Sequence, residues 1–102
     1  MHELKTDPTA YEEMIEGHKT HTVRFDDRTY IEGDYILFRK TKYTGDQMNP
    51  HIVGAAKDVM PLVYTGVATL CKITHVHEGP GMAEGWVVCS IKILDRYPGR
   101  VN

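Results

Sequence analysis

A chain of 102 residues can bury one modest core and is too short for two, so a single domain covering 1-102 is expected. Apolar residues at 41% and charged residues at 25% exclude wholesale disorder. A formal net charge of −2 gives the molecule as a whole no electrostatic reason to seek phosphate backbones or anionic lipid, and leaves room only for a local basic patch.

No apolar run approaches the roughly 20 residues that span a bilayer, which argues against a membrane protein. Cys71 and Cys89 sit in apolar, strand-like runs without CxxC spacing, and no N-terminal stretch resembles a signal peptide. Reduced, buried thiols in a cytoplasmic protein are the expectation.

In chain order, a short strand-like HELK at His2 to Lys5 precedes TDPTAYEEMIEG, which has both ends of a helix written in it. Asp7 can cap the free N–H groups, Pro8 is tolerated in the first turn, and Glu12 and Glu13 are placed towards the positive end of the dipole. Ala10, Tyr11, Met14 and Ile15 share one face at helical spacing, and Gly17 can take the left-handed conformation that stops the helix.

From Thr20 the period becomes two. His21, Val23 and Phe25 form the more apolar face of a strand, and Thr20, Thr22 and Arg24 the polar one. Turn chemistry at Asp26-Asp27 and Gly33-Asp34 leads into a strand at Tyr35 to Arg39, with Ile36 and Phe38 on one side. Residues Thr41 to Pro61 are broken by Gly45, Asp46, Asn49, Pro50 and Gly54 and read as a long loop or hairpin arm at about 41-61. Two further strands follow, Val63 to His77, expected to break near Gly66, and Trp86 to Leu94, joined by EGPGMAEG. Val87, Cys89, Ile91 and Ile93 form an apolar stripe on the last strand.

One early helix and about five strands, without repeated strand-helix alternation, predict an α+β, mainly β fold: a small, mainly antiparallel β-barrel with an N-terminal helix packed over it.

Chemistry concentrates at the helix-to-strand junction. Lys19 stands three residues before Thr22, so the turn must rotate it if the two side chains are to meet on one face. A desolvated lysine can lose its proton and activate a threonine hydroxyl for attack on a carbonyl. A carboxylate is needed to orient it, and EGPGMAEG offers Glu84 or Glu78. KTxT also occurs by chance, and a lysine beside threonines is commonly a solvated strand edge.

Arg39, Lys40 and Lys42, with Tyr43 beside them and Arg24 and Arg28 as extensions, can contact phosphates and stack a base, or simply form a solvated strand end. His75, His77 and Cys71 would share a strand face, but without zinc-ligand spacing no metal is expected. Trp86 can pack in the core or stack on a planar ligand.

HELK, PTAYEEMIEGHKTHTVR, DDRTYIEGDYILF and EGPGMAEGWVVCSI, in that order, resemble the ASCH group of the PUA-like superfamily over most of the chain except Thr41 to Pro61. HxLK, IxxGxKTxxxR, DRxxxxGD and EGPG with GxVVxSI look like a small bacterial and phage subgroup that commonly carries a glutamate where Thr22 stands. The KTxTxR arrangement of Lys19, Thr20, Thr22 and Arg24 is instead similar to the small ASCH amidohydrolases that remove acyl groups from the exocyclic nitrogen of cytidine.

That resemblance implies a PUA-like barrel with a cleft between helix and sheet. Lys19 would activate Thr22, a glutamate (Glu84, or Glu78) would assist, and Arg24, Thr20 and Trp86 would hold the substrate, with no cofactor and a monomeric protein. The alternative is a non-catalytic PUA-like RNA-binding module centred on Arg24, Arg39, Lys40 and Lys42. A third reading has the 41-61 arm gripping a protein partner. The charge balance favours a small nucleoside ligand over RNA.

Overall fold

The computed structural model describes residues 1–26, 29–49 and 59–98. The elements run β1 (His2–Thr6), α1 (Pro8–Ile15), β2 (His21–Phe25), β3 (Tyr35–Thr41), β4 (Tyr64–His77) and β5 (Trp86–Pro98). The fold is α+β and mainly β, one short helix set against a sheet that curls into a half-barrel.

Asp7 caps α1 by accepting the Thr9 N–H at 2.8 Å, with Pro8 in the first turn. Tyr11 and Met14 are buried on the expected face. Glu12 and Glu13, however, lie beyond the first turn, which holds no acidic residue. Glu12 reaches instead for Lys40 across on β3.

The helix ends in a Schellman arrangement. Gly17, at φ 81°, donates to the Met14 carbonyl, and His18 donates to the Glu13 carbonyl. Lys19 N–H also bonds to the Glu13 carbonyl, at 3.1 Å, which fixes where the chain leaves the helix.

The sheet order is β1-β3-β4-β5-β2. The β3–β4, β4–β5 and β2–β5 ladders are antiparallel, as the sequence predicts. The β1–β3 ladder is parallel, because α1 and β2 intervene and supply the crossover length that a parallel pair needs. The barrel does not close: β1 and β2 are left as the two edges.

Two strand limits differ from expectation. β4 runs unbroken through Gly66, which takes φ 87° near the register shift between Arg39 and Thr41 of β3. β5 continues to Pro98, because β4 offers partners as far back as Val67. The proposed arm is partly accounted for: Thr41 belongs to β3, and Met60 N–H bonds to the Gln47 carbonyl. Positions 50–58 of that arm, like Arg28, lie outside the described residues.

The core lies on the concave side of the sheet and under α1, built from Leu4, Tyr11, Met14, Ile36, Phe38 and Ile73 with Val87. Cys71 and Cys89 are free thiols within it. Tyr11 Oη and Thr69 Oγ1, both buried, share a hydrogen bond of 2.5 Å that ties α1 to β4. Tyr11→Phe removes one partner and strands the other, so it is expected to cost about 1–2 kcal/mol in urea denaturation.

Burial pushes the Cys71 thiol from 9.0 up to about 11. The folded state then keeps a proton that the unfolded chain has already released, so this contribution to stability is complete below pH 9.0 and is lost as the pH rises through about 11. Urea midpoints measured across that interval should fall, and fall less steeply in Cys71→Ala.

Candidate functional site

The two unpaired edges of the sheet converge on one cleft beside α1, with a volume of about 250 Å³. Thr6 from β1, Thr22 and Arg24 from β2, and Lys19 from the turn between α1 and β2 supply polar lining. Met14, Phe38 and Ile91 supply apolar lining. A mostly apolar concavity with a few convergent polar groups is the usual form of a small-molecule site.

β2 places its faces against the ordinary hydrophobic logic. Thr22 is 2% exposed, whereas Val23 and Phe25 are 48% and 53% exposed. The strand therefore turns its polar face inward. Burying a hydroxyl is costly unless it is bonded, and Arg24 meets part of that need by donating from Nε to Thr22 Oγ1 at 3.0 Å. With Oγ1 already accepting, the Thr22 proton is free to be donated to a base or a ligand.

Lys19 is half-buried and borders the same cleft as Thr22, because the helix stop at Gly17 redirects the chain before β2 begins. Among the described residues, neither Lys19 nor Arg24 forms an ion pair. Among the described residues, one carboxylate lines the cleft, that of Asp7. Both of its oxygens are engaged, Oδ1 with Thr9 N–H and Oδ2 with Gly45 N–H at 2.6 Å.

The structure thus sets Lys19, Thr22 and Arg24 on the lining of one cleft, with a direct hydrogen bond between Arg24 and Thr22, and leaves the other expected site residues elsewhere. Glu78 and Glu84 are exposed and border a separate depression at the β4–β5 turn, together with Trp86. Trp86 is in register with Phe25, whose side chain is on the outer face, and the two rings meet edge-on at 5.7 Å. Thr20 is exposed, and its carbonyl accepts the Ile91 N–H at 3.0 Å, so it extends the ladder rather than lining the cleft.

The basic cluster on β3 is also dispersed. Arg39 pairs with Glu3 at 2.8 Å and lies over the Tyr64 ring, and Lys40 pairs with Glu12 over Tyr11. Lys42 is exposed beside Tyr43, and Arg24 belongs to the cleft. The face that spacing would give to Cys71, His75 and His77 is broken by the register shift between Ile73 and His75. Cys71 is buried while both histidines are exposed, and no group of three metal-ligating side chains occurs among the described residues.

Burial raises the Cys89 thiol, with the Asp26 charge adding to the rise and Arg24 opposing it. Cys89 lies opposite Thr22 in the β2–β5 ladder, so this thiol stays protonated and offers no competing nucleophile behind the site.

Sequence reasoning missed Lys5, Thr6 and Met48 as cleft residues. The signal for Thr6 was present, since in HELKT it alternates with buried Leu4 on the inward face of an edge strand. Met48 reaches the cleft only because Asp7 tethers Gly45, a contact between distant segments that no local pattern announces.

These features define a small, mainly β half-barrel with a ligand-sized cleft at its open seam, and no helix among the described residues is long and apolar enough to cross a membrane. A family model matches residues 1–91, and the chain belongs to that family, described as Domain of unknown function (DUF3850). No curated protein matches the chain.

Arg39→Gln and Lys40→Gln are expected to lower stability by at most about 1 kcal/mol each, as half-exposed ion pairs do. Chemical denaturation of the two variants checks this.

Proposed function

We propose that the protein is an amidohydrolase that removes an acyl group from the exocyclic amide of a 4-N-acylated cytidine or cytosine. The observation that carries this reading is that Lys19 and buried Thr22, separated in the sequence by a turn, border one cleft. The substrate class rests on the resemblance of the Lys19-to-Arg24 stretch to the ASCH amidohydrolases.

In the proposed reaction the Thr22 oxygen attacks the acyl carbonyl carbon, and the hydroxyl proton passes to the amine of Lys19. Collapse of the tetrahedral intermediate breaks the C–N bond, and Lys19 returns the proton to the departing exocyclic nitrogen. An acyl-threonine remains. Water then attacks it, Lys19 again taking and returning a proton, and the carboxylic acid leaves with Thr22 restored. The Arg24 guanidinium, already at Thr22 Oγ1, offers charge to the oxyanion.

This scheme asks nothing of a glutamate, which suits a cleft that neither Glu78 nor Glu84 lines. It follows the logic of serine–lysine dyads, in which one amine serves both as base and as acid. The RNA-binding alternative is weakened by the commitment of Arg39 and Lys40 to carboxylate partners.

Incubation with 4-N-acetylcytidine should release cytidine, and Thr22→Ala or Lys19→Ala should lower the rate by about 100-fold or more. Thr22→Ser should retain part of it. Failure of the wild type to release cytidine from any short-acyl substrate overturns the proposal.

A further inference from the structure

The charge around the cleft exceeds what the hydrolysis of a neutral nucleoside requires. Lys5 and Arg24 both border it, and among the described residues neither forms an ion pair. The lining carboxylate of Asp7 bonds the backbone N–H groups of Thr9 and Gly45 and makes no ion pair with either cation. Elsewhere the protein pairs its half-buried cations: Arg39 with Glu3, and Lys40 with Glu12. The cleft is where that habit stops.

A second observation points the same way. Thr6 is 7% exposed and borders the cleft, and its Oγ1 is buried without a hydrogen-bonding partner in the protein. An unbonded buried hydroxyl is destabilising, and threonine is retained here beside Leu4, where an isosteric valine would serve the core better. Thr22 and Thr41, the other buried threonines that border the cleft, are both hydrogen-bonded.

We infer that the ligand of this cleft is a nucleoside bearing a phosphate, with Lys5 meeting the phosphate charge at the rim and the Thr6 hydroxyl bonding the ligand within. The inference rests on the reading of the cleft as a nucleoside site, but not on hydrolysis. A 5′-nucleotide and a residue within an RNA chain share this chemistry. The overall negative charge of the protein does not oppose either, since the field that matters is that of the cleft.

Calorimetric titration separates these statements. The probes are 4-N-acetylcytidine, its 5′-monophosphate and a short oligoribonucleotide carrying one 4-N-acetylcytidine. The monophosphate is expected to bind about tenfold or more tightly than the nucleoside, an advantage lost at high salt and in Lys5→Gln. The tighter of monophosphate and oligonucleotide identifies the source of the phosphate. Thr6→Val should weaken ligand binding severalfold while leaving the urea midpoint equal or higher, because the unbonded hydroxyl is gone.

Equal affinity for nucleoside and monophosphate overturns the inference, as does a Thr6→Val variant that gains stability and binds unchanged. Tight nucleotide binding without acyl release sustains the inference and removes the hydrolase reading. Cytidine release with no preference for phosphate does the reverse. No binding of any probe removes both.

Discussion

The buried hydrogen bond between Tyr11 and Thr69 pins α1 against β4, and the position of the helix decides the shape of everything on the concave side of the sheet. α1 presents Met14 to the cleft from one side, while β1 and β2, the strands it connects, approach from the edges. If β1 and β2 paired, the barrel would close and the cleft would fill. α1 packs on β3 and lines the cleft between them. The Lys40–Glu12 pair, with Lys40 over the Tyr11 ring, braces the same helix from the solvent side. One polar contact inside and one outside thus fix the helix that lines the cleft.

The cost of that cleft is visible on β2. A strand at the edge of a small sheet would ordinarily bury Val23 and Phe25 and leave Thr22 and Arg24 wet. Here the order is reversed, and the Arg24–Thr22 bond within the cleft recovers only part of the hydrogen bonding given up to solvent. Phe25 and Trp86 shield one another partially on the outer face. Local disagreement between pattern and burial of this kind concentrates at sites retained for function.

Much of the fold was legible because its signals are local. The Asp7 cap, the Gly17 stop and the stripe of Val87, Cys89, Ile91 and Ile93 each follow from neighbours within a few residues, and each takes the expected place. What escaped depends on pairing between distant segments: the parallel β1–β3 ladder, the open seam and the tether from Asp7 to Gly45. The site divides along the same line. Lys19, Thr22 and Arg24 were readable because one turn and one strand place them, whereas the glutamates and Trp86 were assigned by analogy of loop position. Register with Phe25 carries Trp86 to the outer face, a fact that no spacing within EGPGMAEG reveals. Thr20 failed for a smaller reason, since the ladder with β5 already claims its carbonyl.

The helix stop at Gly17 has a consequence for how this junction can vary. From Gly17 the chain is anchored at both ends, by the Glu13 carbonyl on one side and by the pairing of His21 with Ser90 on the other. Between them lies a fixed count of residues, and in β2 each step alternates the side of the sheet. Substitutions at His18 or Thr20, both exposed and outside the cleft lining, leave that count intact. A single deletion there would shift the strand by one position and present Val23 to the cleft in place of Thr22, and a single insertion would present His21. At His18 and Thr20 the junction can therefore vary in composition but not in length, so the signature of this site is the spacing from glycine to threonine with Lys19 between them.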